Sequence, residues 1–183
     1  MARTALLGYA LLGLLAGKPS TGYDLRKLFT GTPMRHFSDS PGSVYPALRR
    51  LEDAGHVRIA KERDDNPRGR QRYVPTRAGL TEFRRWLASP VEQDEIDRPG
   101  EFVLRFAFMD DHLVHGEIVA RLTEFRERIR AYAADLRQTE SSLAPKLPAC
   151  ARLALQNGIQ SHDAQADWAD RALSQLDSVK GRT

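Results

Sequence analysis

Residues 40–55, SPGSVYPALRRLEDAG, read as a short helix with two unlike faces. At about 100° per residue, Val44, Ala47, Leu48 and Leu51 fall on one side. Gly42, Tyr45, Pro46, Arg49 and Asp53 fall on the other. The first face asks for a core. The second joins a small residue, a phenol and a guanidinium, which is an odd face for solvent alone. Two starts are open. Ser40 as N-cap puts Pro41 at the favoured first position but leaves Pro46 inside, where it loses a hydrogen bond. Ser43 as N-cap puts Pro46 in the tolerated first turn. Gly55 closes the helix as a left-handed C-terminal residue.

Upstream, residues 1–16 are apolar on nearly every side, with Leu6, Leu7, Tyr9, Leu11, Leu12, Leu14 and Leu15. Such a helix is covered all round, by more than one element. Gly17-Lys18-Pro19 stops it. Ser20 or Thr21 caps a second helix over residues 22–29, where Tyr23, Leu25, Leu28 and Phe29 are available for packing. Downstream, HVRIAKER (56–63) alternates as a strand, DDNPRG (64–69) is a turn, and RQRYVP (70–75) is a second short strand that Pro75 ends. Thr76 caps a helix through Leu87, with Leu80, Phe83, Trp86 and Leu87 as its apolar stripe. Three helices, a hairpin and a helix make residues 1–88 a winged helix-turn-helix with a small two-stranded wing.

SPVEQDEIDRPG (89–100) is polar, acidic and holds two prolines, the composition of a linker. An aromatic cluster follows, with Phe102, Phe106, Phe108 and Met109. Two long helices come next. In the first, Ile118, Leu122, Phe125, Ile129, Tyr132 and Leu136 alternate four- and three-residue steps. In the second, Leu155, Ile159, His162, Ala166, Ala169, Leu173 and Leu176 do the same. These are heptad seams. Small Ala166 and Ala169 permit close approach of another helix. An antiparallel pair that also meets its copy would use both features, so residues 101–183 read as a helical, coiled-coil-like dimerisation domain. Leu122, Phe125, Ile129, Leu155, Ile159, His162, Ala166, Ala169 and Leu173 are its expected contacts. The chain as a whole is mainly α.

The 183 residues are 41% hydrophobic and 28% charged, enough for one domain with a real core or two small ones. The charge is uneven. Residues 1–90 hold 16 Lys and Arg against 8 Asp and Glu; residues 91–183 hold 12 against 16. A basic front and an acidic rear suggest that only the front meets a polyanion. One cysteine, Cys150, excludes a disulfide framework and fits a reducing cytoplasm. The apolar run 5–16 is too short to span a bilayer and lacks signal-peptide flanks. We expect a cytoplasmic protein with no membrane partner.

A helix enters the DNA major groove, where base edges are distinguishable, and the second helix of a helix-turn-helix does so with its N-terminal end. Gly42 allows close approach, Ser43 and Tyr45 offer hydroxyls to phosphates, Pro46 shares their face, and Arg49 reaches a guanine edge or a phosphate. Arg50, off to one side, suits a backbone contact. On the wing, Arg68, Arg70 and Arg72 match the minor groove. Arg26, with Lys27, faces the backbone from the second helix, and Tyr23 either packs inward or offers its hydroxyl.

These residues resemble the PadR family of bacterial transcriptional regulators. The resemblance is carried by Leu12-Gly13-Leu14-Leu15, by Ser20-Thr21-Gly22-Tyr23-Asp24-Leu25, and above all by Gly42-Ser43-Val44-Tyr45-Pro46-Ala47-Leu48 with Leu51-Glu52 and Gly55. Gly69-Arg70, Tyr73, Thr76 and Gly79 add the wing. Phe102-Val103-Leu104-Arg105-Phe106 and the long helices look like the longer C-terminal domain of one branch. The resemblance implies a dimeric repressor on an inverted-repeat double-stranded DNA operator, with Tyr45 and Arg70 as the family's helix tyrosine and wing arginine. Some members of that family respond to small aromatic molecules, and for such an effector the aromatic cluster offers Phe102, Phe106 and Met109 as the candidate site.

Other classes fare worse. There is no glycine-rich phosphate loop and no nucleophile elbow, so neither an enzyme nor a cofactor is expected. His112 and His115 have a spacing that suits a metal, but no second pair of ligands accompanies them, and no metal is expected. The competing class is a winged-helix protein-interaction module without DNA binding.

Overall fold

The computed structural model describes residues 3–31, 42–60, 71–143 and 146–180. It divides into two compact units, Met1–Ser89 and Pro90–Thr183.

The first unit is built on α1 (Arg3–Gly17), which has no polar side to give to water. Leu6, Leu7, Ala10, Leu11, Leu12 and Leu15 are all buried. Cover comes from within the unit, from α3 (Val44–Asp53), α4 (Arg77–Ala88) and strand β3 (Arg72–Pro75). Each such leucine contributes roughly 1.5–3 kcal/mol by leaving water. Helix α2 (Gly22–Gly31) packs on α3 through Leu25 and Phe29.

The expected two-stranded wing is one strand short. Ser20–Thr21 forms β1, and the sheet order is β1-β3-β2, with β2 at Val57–Ile59. All pairs are antiparallel, with Thr21 opposite Arg72 and Val57 opposite Pro75. Two residues are too few to show alternation, which hid β1 in the sequence. Thr21 also caps α2: its hydroxyl accepts from the Asp24 amide at 3.1 Å and donates to the Asp24 carboxylate at 2.8 Å. The rest of the hairpin, residues 61–70, lies outside the described residues.

Helix α3 starts at Val44 with Ser43 as its N-cap, which decides between the two readings. Pro46 then lies in the first turn, where no intrahelical partner is lost. At the other end the Gly55 amide donates to the Glu52 carbonyl and the His56 amide to the Leu51 carbonyl, both at 2.8 Å. Gly55 has φ of 71°. This is the glycine-terminated helix end that the sequence predicts. Thr76 caps α4 as expected, accepting from the Gly79 amide at 3.0 Å. Phe83, Trp86 and Leu87 are buried on α4, whereas Leu80 stands at the surface.

The stretch 89–100 is not an extended linker. It contains α5 (Gln93–Asp97) and opens α6 (Pro99–Phe106). Glu92 and Glu95 form a reciprocal capping box, and Val91 and Ile96 are buried in the second unit. The acidity that resembles a linker is partly a helix start. Arg105 on α6, almost fully buried, pairs with Glu95 at 3.0 Å. Burial pushes the Glu95 carboxyl up and the Arg105 guanidinium down.

Helices α7 (His115–Leu143) and α8 (Ala149–Lys180) pack against each other. Arg126, Arg130 and Arg137 of α7 pair with Asp170, Asp170 and Asp163 of α8. Among the described residues no helix is long and apolar enough to cross a membrane.

Candidate nucleic-acid interface

Amphipathicity builds the site. Val44, Ala47, Leu48 and Leu51 anchor α3 in the core, so the opposite side must face out. Tyr45 is 48% exposed, and Gly42, Pro46, Arg49 and Arg50 are exposed beside it; Ser43 is half-buried. The Tyr45 ring lies against α2: a Cβ on Gly22 would come within 2.6 Å of Tyr45 Cε1. Gly22 therefore sets where that phenol stands, a role the sequence motif contained without explaining. Behind it, burial pushes the Tyr73 phenol up, with Glu52 and Tyr45 adding to the effect. Tyr73 thus stays a neutral hydroxyl.

On α2, Tyr23 is 47% exposed and the Arg26 guanidinium lies 5.6 Å from its ring centre. The outward alternative for Tyr23 is the one observed. Arg72 is exposed on β3. With Lys18, Lys27, Ser20 and Asp24 it lines a concavity of about 530 Å³. Lys18 was missed in the sequence because it sits in a turn signal, where charge has no periodicity to reveal its direction. Arg68 and Arg70 lie outside the described residues. Arg50 lies about 100° round the helix from Arg49 and lines a separate cavity with α1 and α4.

The remaining candidates behave differently. Phe102 and Met109 are fully buried in the second unit. Phe102 stacks on Phe125 with centroids 4.0 Å apart, and half-buried Phe106 meets Trp168 edge-on at 5.4 Å. The unit's own side chains thus pack on these rings. On the heptad seam, Leu122, Phe125, Ile129, Ile159, Ala166 and Ala169 are buried within one chain. Leu155, His162 and Leu173 are only half-buried. The His162 ring nitrogens lie 2.7 Å from the Gly158 carbonyl and 3.2 Å from that of Ile96. Among the described residues no group of three or more His, Cys, Asp and Glu could hold a metal ion.

An α1–α4 core carrying a three-stranded wing and an outward α3, followed by a helical second unit, defines a winged-helix protein with a helical C-terminal half. Residues 11–85 match the transcriptional regulator PadR-like family, and residues 100–177 match the virulence activator alpha C-terminal family. The winged-helix part of the chain is thus similar to the PadR-like transcriptional regulators, and the second unit to the virulence activator C-terminal family. The chain is 28% identical to the negative transcriptional regulator PadR of Bacillus subtilis over 106 residues, which is 57% of each chain. The match thus spans little more than half of that relative's length. Among solved structures, a PadR-like transcriptional regulator of Bacillus cereus is 28% identical, with a TM-score of 0.41 and coverage of 93% of this chain and 98% of that one. Bacillus subtilis PadR in complex with operator DNA is 22% identical, with the same score and the same coverages.

Proposed function

We propose that this chain is a homodimeric, sequence-specific repressor that binds a double-stranded inverted-repeat operator and is released by a small effector. The observation that carries the reading is α3 itself. Its apolar side is buried, while Tyr45, Pro46 and Arg49 stand exposed from its first turns. That is the end of a recognition helix that meets base edges. Arg26, Lys27 and Arg72 supply phosphate contacts around it, and Arg70 is assigned to the wing from the sequence. Half-buried Leu155 and Leu173 on α8 are the remaining apolar candidates for contact with a second copy.

Selection of bound fragments from random and genomic DNA is the decisive test. A site with two-fold symmetry is the expected result. The double variant Tyr45→Ala plus Arg49→Ala should lose binding to it, and Arg49→Ala alone should cost about 1–3 kcal/mol and relax one base position. Unchanged binding by the double variant would remove α3 from the groove. If no fragment is selected at all, the protein-interaction reading replaces this one.

A further inference from the structure

The chain leaves the first unit at Ser89 and enters the second at Pro90. Connections between compact units are ordinarily exposed, and water satisfies their backbone. Here protein groups take that backbone up. In the first unit the Ser89 amide and hydroxyl donate to the Trp86 carbonyl, at 3.2 and 2.7 Å. In the second, Glu124 accepts from the Val91 amide at 3.1 Å. Arg128 donates to the Val91 carbonyl and, at 3.1 Å, to the Gln93 side-chain oxygen. Arg105 reaches the Pro90 carbonyl at 3.4 Å, and the Pro90 ring fixes its own φ. The Val91 side chain is buried. The Glu92 amide is tied into the capping box of α5 at 2.9 Å. Every residue from Ser89 to Glu92 is therefore held through its backbone.

The grip comes mainly from α7. Glu124 and Arg128 stand four residues apart, so one face of the helix carries both. Arg121 pairs with the second Glu124 oxygen at 2.6 Å, which leaves the first for Val91. At 100° per residue, Arg126, Arg130 and Arg137 lie across the apolar seam from this face, and they pair with α8. Helix α7 thus holds two things at once. One is the chain emerging from the winged-helix unit. The other is α8, which carries the half-buried Leu155 and Leu173 offered to a second copy.

We propose that Glu124 and Arg128 are positioning residues that set the spacing between the two half-sites of the operator. The role rests on the dimeric, inverted-repeat reading above. DNA makes spacing a strict demand, because each added base pair moves a half-site by about 3.4 Å and turns it by roughly 35°. A protein whose exit from the winged-helix unit is held to α7 fits one spacing. One whose exit swivels fits several. Both residues act through the Val91 backbone rather than by touching DNA.

The selected operator is rebuilt with its natural spacer and with one or two base pairs inserted or deleted, and the full chain is titrated with each fragment. For the natural protein one inserted base pair should cost about tenfold in affinity. Glu124→Ala plus Arg128→Ala should leave dimer mass unchanged and single half-site affinity within about twofold, yet cut the insertion penalty to about threefold or less. Glu124→Gln keeps an oxygen acceptor for the Val91 amide and should restore the natural profile. Loss of stability cannot give this split, since unfolding lowers affinity for every spacer alike. Should the double variant fail to fold, Arg128→Met, which keeps the aliphatic stem and removes the guanidinium, takes its place. A folded, dimeric variant with the natural spacer profile overturns the proposal, as does a natural protein that accepts all spacers equally. Failure to select any two-fold site overturns the regulator reading, and the spacing role falls with it.

Discussion

Gly79 is where a single added carbon would do most harm. Its Cβ would lie 2.0 Å from the His56 carbonyl oxygen and 2.8 Å from the carbonyl carbon, both backbone atoms. The start of α4 and the chain after α3 meet there without a side chain between them. Gly79→Ala is expected to cost about 3 kcal/mol, since backbone must move, and urea denaturation measures it. Gly22 is a contrasting case. The atom its Cβ would meet, Tyr45 Cε1, belongs to the far end of a side chain that can swing away. Gly22→Ala should therefore leave stability within about 1 kcal/mol of the natural protein and fall instead on operator affinity, by roughly fivefold. Both glycines stand in the family motif, and in the motif they look alike. What separates them is the neighbour each would strike, which lies 23 residues away in both cases and is invisible to local pattern.

At the scale of elements, helices announced themselves through capping and periodicity, and partners did not. Gly55 and Thr76 were legible because a left-handed glycine and a threonine before a helix act locally. The start of α3 was not, since Ser40 and Ser43 satisfy local rules about equally. The heptad steps of α7 and α8 correctly marked one apolar side each. Periodicity names a side and never what covers it, and here each seam covers the other. The clasp between α1 and α4 belongs to this scale too. Glu82 takes the Tyr9 hydroxyl and the Arg85 guanidinium, and the Arg85 bond holds its carboxyl below the usual carboxylate range. A value lowered by folding contributes stability that is present above the unfolded value and lost as pH falls through the folded one. Glu82→Gln should cost about 1 kcal/mol at neutral pH, a modest figure because Arg85 is largely exposed. The gap from the natural protein should close as pH falls through the lowered Glu82 value. A gap unchanged by acid would mean that the carboxylate charge plays no part in the clasp.

For the whole molecule, the uneven charge carries the argument. The excess of cations in residues 1–90 is reversed in residues 91–183, so the proposed contact with DNA falls to the front, and we assign another task to the rear. One α3 spans too few base pairs to single out a site in a genome, whereas two held at a fixed distance multiply their selectivity. We assign that spacing to a second copy meeting the rear unit. Leu173 tests the assignment, because it is half-buried on α8 where Ala166 and Ala169 are buried on the same seam. Leu173→Glu should leave the winged-helix unit intact, lower the mass in sedimentation from dimer to monomer, and cut affinity for a two-half-site fragment. Binding to a single half-site should change little, since the phosphate contacts of one front unit remain. The salt dependence separates the cases further. Each phosphate contact contributes about 0.9 to the slope of log affinity against log salt. The variant should therefore show about half the natural slope on the full operator. A variant that remains dimeric, or one that loses both half-site and full-site binding equally, would place the spacing contact elsewhere on the rear helices.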